Sequence, residues 1–174
     1  GKQYAAPQGR ILMNPFADVK ASSWFGKYVI DLYNDGIING TSATTYAPND
    51  TLTWAAALKL LLVSNGNLKA ADATGADWSK NAIAKAAELG LVAADLDGAK
   101  AISRLEFCQV AAKLNKLAES KTESKFTDCT DGYVMALVDA KVISGMTETT
   151  FEPAASLTRA QIAKILYQLT LIEK

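Results

Sequence analysis

The sequence predicts a mainly α fold built from three tandem helix–loop–helix units. Three observations predict it. One pattern of residues recurs with a period of roughly 50, the mark of supersecondary units that must stack to bury their apolar faces. Within each unit, apolar residues fall at the i, i+3, i+4, i+7 spacing of a helix face. Between these faces lie glycine, proline, serine and threonine, the residues of turns.

The repeat is clearest in units one and three. Unit one reads Phe16-Ala17-Asp18-Val19, Trp24, Gly36 to Gly40, Tyr46-Ala47-Pro48 and Leu52-Thr53-Trp54. Unit three reads Phe126-Thr127-Asp128-Cys129, Val142 to Gly145, Phe151-Glu152-Pro153 and Leu157-Thr158-Arg159. Gly40 to Trp54 aligns with Gly145 to Arg159 without a gap. Unit two keeps Asp72, Trp78, Gly90 and Ile102-Ser103-Arg104 but lacks the aromatic-x-proline turn. The chain divides accordingly into a lead-in over 1–15, broken by Pro7, Gly9 and Pro15, and units over 16–66, 67–118 and 119–174.

Taken in order, a first helix covers 23–35, with Phe25, Val29, Leu32 and Tyr33 on one face. Gly36 ends it, since a left-handed residue after a helix costs glycine little. A loop follows through Pro48, and a second helix runs over 53–65 to stop at Gly66. Unit two repeats this with helices at 78–89, ended by Gly90, and at 103–117. Unit three places them at 132–140 and 158–171, the last with Ile162, Ile165, Leu166 and Leu169 on one face. Polar stretches at 66–71 and 119–125 link the units. No unit has enough apolar face to stand alone.

Composition narrows the function. About half of the 174 residues are apolar (49%), enough for a real core. Eighteen lysines and arginines balance eighteen aspartates and glutamates, against the surplus positive charge that a nucleic-acid partner calls for. No apolar run is long enough to span a membrane. The chain opens on Gly1, which leaves a removed leader open. Histidine is absent, removing the commonest general base and metal ligand. Cys108 and Cys129 are too few for a zinc site. No carboxylate pair stands out, so the expectation is a protein that is not an enzyme and holds neither cofactor nor metal.

Ser103-Arg104-Leu105-Glu106 and Thr158-Arg159-Ala160-Gln161 fit the capping box that opens a helix. An arginine beside free N–H groups is disfavoured by the helix dipole yet makes an anion-binding corner, and its planar fork suits carboxylate or phosphate. Two roles stay open for it. It pairs with a neighbouring acid, Asp72 or Asp128, or it meets a ligand. Trp24 and Trp78 read as core or interface residues whose exposed edges reach a groove. Cys129 stands where units one and two hold Val19 and Ala73, so a buried free thiol is expected, with a Cys108–Cys129 disulfide as the alternative. Lys113, Lys116 and Lys121 read as a solvated face.

The constellation resembles the S-layer homology domain. Phe-x-Asp-Val, Trp, Gly-Ile-Ile-x-Gly, aromatic-x-Pro and Leu-Thr-Arg-Ala match in order, over roughly 16–172, as three tandem modules. That resemblance implies a pseudo-threefold arrangement around a central helical bundle. It also implies inter-module grooves that bind an acidic cell-wall-linked polysaccharide, often pyruvylated, and anchor the protein on the outside of a bacterial cell. It carries the motif arginine onto Arg104 and Arg159, the opening aspartate onto Asp18, Asp72 and Asp128, the tryptophan onto Trp24 and Trp78, and the groove glycines onto Gly40 and Gly145. Unit one departs from it, with Trp54 in the arginine position. Trp54 either lies against a sugar face or packs between modules, and one or two competent grooves are expected rather than three. The alternative function is a protein-interaction or S-layer assembly scaffold that self-associates without glycan binding.

Overall fold

The computed structural model describes residues 2–5 and 9–172. Its elements run β1 (Lys2–Ala5), β2 (Ile11–Asn14), α1 (Gly26–Asn34), α2 (Trp54–Ser64), α3 (Trp78–Glu88), α4 (Arg104–Leu114), α5 (Gly132–Asp139) and α6 (Arg159–Thr170). The six helices stand where the repeat predicted them, and the molecule is mainly helical.

The first stretch departs from expectation. Where a lead-in was read, β1 and β2 form an antiparallel pair with Lys2 opposite Asn14 and Ala5 opposite Ile11. Pro7, read as a breaker, lies outside the described residues. β2 alternates between exposed Ile11 and Met13 and buried Leu12 and Asn14. A polar residue in a buried position hides that alternation in the sequence. Asn14 is satisfied there, donating to the Val19 carbonyl and accepting from the Phe16 N–H. Asn34 on α1 exchanges two hydrogen bonds with the Met13 backbone, so the hairpin is tied to the first helix.

Helix ends explain most boundary differences. α1 begins at Gly26 rather than 23, because Ser23 and Gly26 donate to Lys20 and Ser23 carbonyls in a tight turn. Gly36, Gly66 and Gly90 take the left-handed backbone expected of helix stops. Lys116 and Lys141 take it too, at φ 58° and 60°. There the following residue's N–H bonds back across the turn, Leu117 to Ala112 and Val142 to Leu137, which offsets the cost of a left-handed side chain. That is why α4 stops at Leu114 instead of running to 117.

The helices pack in a closed order. The second helix of each repeat lies against the first helix of the next: α2 on α3, α4 on α5, and α6 back on α1. α2 also meets α6. Leu58, Leu61, Leu62, Phe107, Ile162, Leu166 and Leu137 are buried where these faces meet. All four residues predicted for one face of α6 are buried.

Because the core is shared around the cycle, the repeats should unfold together. Leu58→Ala, at a fully buried site, is expected to lower unfolding free energy by about 2–5 kcal/mol within one transition. Chemical denaturation followed by circular dichroism checks this, and separate transitions for separate repeats would contradict it.

Candidate functional site

The site grows from the way each second helix begins. Thr53, Ser103 and Thr158 are the N-caps, each accepting from the N–H three residues on. The full capping box closes at Thr158 and Gln161. At Ser103, the cap accepts from the Glu106 N–H, but no return bond from the Glu106 side chain is present among the described residues.

The next two N–H groups of each helix donate to carbonyls of the neighbouring repeat. Trp54 and Ala55 reach Lys100 and Gly98, at 2.8 and 3.0 Å. Arg104 and Leu105 reach Ala155 and Pro153, at 2.8 and 3.0 Å. Arg159 and Ala160 reach Asp50 and Pro48, at 2.8 and 2.9 Å. Isolated bridges mark the same joints: Thr53 with Ala101, Ser103 with Ser156, Thr158 with Thr51. Those first-turn donors were expected to face a ligand; they are spent on the joints between repeats instead.

The aspartates shape the loops that receive these helices. Asp18 accepts from the N–H groups of Tyr46 and Ala47, and Asp128 accepts from those of Phe151 and Glu152, at 2.8–2.9 Å. Ala47 and Glu152 are left-handed, at φ 58° and 59°, and the carboxylate clamp holds them there. The Phe151 and Glu152 N–H groups hold the Asp128 carboxyl below the usual aspartate value. Asp72 is exposed, and its backbone is engaged, the N–H donating to the Lys69 carbonyl and the carbonyl accepting from Asn81; unit two lacks the aromatic-x-proline turn that its carboxylate would clamp. Gly40 and Gly145 have a steric cause. A Cβ would collide with Phe16 or Phe126 and with two loop carbonyls.

Each motif arginine lies over the loop so prepared. Arg104 Nε donates to the Phe151 carbonyl at 2.9 Å, and the guanidinium carbon sits 4.6 Å from the Phe151 ring centroid. A second Arg104 nitrogen points at the Ser144 carbonyl, 3.4 Å away. Arg159 repeats this on Tyr46, with Nε to the carbonyl at 2.7 Å, the ring at 4.5 Å and a second nitrogen 2.9 Å from the Asn39 carbonyl. The Tyr46 hydroxyl donates back to the Arg159 carbonyl, and its burial pushes its pKa up to about 12. Arg104 is 7% exposed, and burial pulls its pKa down. Among the described residues, neither arginine pairs with an acid. Among the described residues, the ion pairs are Arg10–Asp35 and Lys85–Glu88.

Arg104 opens on a cavity of about 190 Å³ to which all three repeats contribute: Trp24, Arg104 and Cys108, Ser144 to Met146, and Gln161 with Lys164. Trp24 is 58% exposed, against the core role expected for it. It precedes α1 in a turn, so its ring stands out from the helix, meeting the Phe25 ring edge-to-face with the centroids 5.4 Å apart. Trp78 begins α3 and is half-buried, with Lys59 Nζ 5.3 Å from its ring centroid. Trp54 is half-buried against the core. Cys108 and Cys129 are both buried free thiols, and burial raises both, Cys108 to about 12. Lys113, Lys116 and Lys121 are exposed, as expected. Sequence reasoning missed Lys59 and Lys164. Their signal is positional: each stands five residues after Trp54 or Arg159.

The array is thus a cycle of helices with a cavity where three repeats meet. Residues 15–58 and 127–163, just under half of the chain, match the family model of the S-layer homology domain, and those two regions belong to that family. Similar proteins include an endoglucanase of Bacillus sp. (strain KSM-635), 29% identical over 89% of this chain and 18% of that protein. An amylopullulanase of Thermoanaerobacterium thermosulfurigenes is 26% identical over 88% of this chain and 9% of its own length. A surface-layer 125 kDa protein of Lysinibacillus sphaericus is 37% identical over 44% of this chain and 7% of its own. The chain thus spans less than a fifth of the length of these relatives. S-layer homology domains are non-catalytic modules that anchor proteins to the bacterial cell wall, and enzymes carry them as a separate, small part. No helix among the described residues is long and apolar enough to cross a membrane.

The Asp128 clamp has a pH signature. Its carboxyl is depressed by two N–H donors, so its stabilisation is complete above the ordinary aspartate value. It is lost as pH falls through the folded-state value. Asp128→Asn is expected to lower Tm at pH 7, with the gap to wild type closing below about pH 4. A gap that does not change with pH in thermal melts would show that the charge is not what holds the turn.

Proposed function

We propose that the chain is three S-layer homology modules, 16–66, 67–118 and 119–174, that hold a larger protein on the bacterial cell wall by binding an acidic wall polysaccharide in two inter-module grooves. The cyclic order of the helix contacts supports a pseudo-threefold arrangement of the three. One observation carries the reading of the ligand: Arg104 is a buried cation with no acid partner among the described residues, opening on a cavity shared with Trp24 and Gly145. A desolvated guanidinium gains most from a charge-assisted bond to a carboxylate or like anion. An exposed indole beside it offers a face for a sugar ring.

The joint itself does not need the arginine. Trp54 makes the same backbone bonds to the next repeat as Arg104 and Arg159 do. The guanidinium in units two and three therefore has work beyond holding the repeats together. Arg104 and Arg159 supply the charge, Gly145 and Gly40 keep the loops low beside them, and Trp24 and Trp78 flank the grooves. Asp18 and Asp128 act one step back, by fixing the loops on which the arginines rest. The groove headed by Trp54 lacks the cation and is the weak one. A carboxylate such as a pyruvate ketal on an amino sugar fits the other two.

The test is co-sedimentation with sacculi from the source bacterium, before and after chemical removal of wall-linked polymers. Pelleting should vanish on stripping. Trp24→Ala, at an exposed ring outside any helix, is expected to weaken pelleting about tenfold or more, consistent with loss of one aromatic contact, while leaving Tm unchanged. Pelleting that survives stripping would redirect the reading to peptidoglycan. Absence of pelleting, with self-association in light scattering, would favour an assembly scaffold.

A further inference from the structure

Each arginine-bearing joint has a second cation nearby that no repeat motif marks. Trp54, Arg104 and Arg159 open the second helices, and the residue five positions on is Lys59, Gln109 and Lys164 respectively. Lys164 lines the cavity with Arg104 and Trp24. Lys59 lies over Trp78, at the corresponding repeat position, and feels the charge of Arg159. In the remaining position, Gln109 donates to Asp131 at 2.8 Å and is neutral and satisfied.

We infer that Lys59 and Lys164 are ligand-binding residues, each placing an ammonium opposite the motif arginine so that the acid group of the glycan lies between two cations with its sugar against a tryptophan. This rests on the groove reading above. Several observations lead to it. Neither lysine has a carboxylate partner among the described ion pairs. Lys164 lines one cavity with Arg104 of the second repeat and Trp24 of the first, while Lys59 lies over Trp78 of the second repeat within reach of the charge of Arg159 of the third. Lys59 is also depressed, by burial first and then by the charge of Arg159, as expected of two nearby cations with no anion between them.

The substitution pattern agrees with the chemistry. The two positions that hold lysine belong to the grooves that hold arginine. Gln109 belongs to the groove whose arginine position is Trp54. Arginine and lysine are thus present together or absent together, which a merely solvating lysine would not require.

The experiment is quantitative binding of the intact chain to unstripped sacculi across a range of salt, using Lys59→Gln, Lys164→Gln and the double variant, with Lys→Arg variants alongside. Each Gln variant should bind about tenfold more weakly, the loss of one charge-assisted contact, with a shallower salt dependence, while the Arg variants retain binding. Circular dichroism melts confirm folding. If the Gln variants bind like wild type while Trp24→Ala and Arg104→Lys lose binding, the lysines are not ligand contacts and the groove reading stands. If Trp24→Ala and Arg104→Lys also bind fully, both readings fall.

Discussion

Everything in this molecule depends on how three helices begin. The first turn of a helix has N–H groups with no partner inside the helix, and each second helix here gives two of them to carbonyls of the next repeat's loop. The N-cap side chain takes a third. Repeat one thereby completes itself on repeat two, two on three, and three on one. None of the three second helices starts with its donors satisfied until a neighbouring loop is in place. The requirement is stricter than apolar burial alone, because it fixes register as well as contact.

The same joints place the chemistry. A residue at the first helical position must lie beside the loop that caps its helix. In two joints that residue is arginine, drawn over Phe151 or Tyr46 and bonded to loop carbonyls. The loop is rigid because an aspartate at the head of the repeat clamps its two turn N–H groups. A tight glycine brings it close to the opening phenylalanine. Motif residues scattered over forty or more positions are thus parts of one device, in which carboxylate, glycine and aromatic build a seat for a cation. The Arg104 guanidinium ends up desolvated without an acid among the described residues, an expensive arrangement for a fold that keeps the same joint with tryptophan at position 54.

The tryptophans show how a shared motif diverges in three dimensions. Trp24 and Trp78 stand at the same distance from Asp18 and Asp72. A turn delays α1 until Gly26, so Trp24 remains outside the helix and exposed, while Trp78 starts α3 and is half-buried under Lys59. Equal spacing along the chain does not produce equal exposure.

The sequence by itself determined the six helices, their apolar faces, the N-caps, the glycine stops and the repeat, because each depends on local spacing and backbone preference. It also supplied the arginines, aspartates and glycines that matter, through recurrence. It did not reveal the hairpin at the start, where buried Asn14 reverses the expected alternation, nor the lysine stops at Lys116 and Lys141. Only the tertiary structure decided that the helix-start donors serve the joints, that the arginines have no acid partner among the described residues, and that Lys164 lines a cavity with Arg104 while Lys59 lies over Trp78. Those outcomes depend on which repeat faces which, and the closed cycle brings together side chains from three repeats that no local pattern along the chain connects.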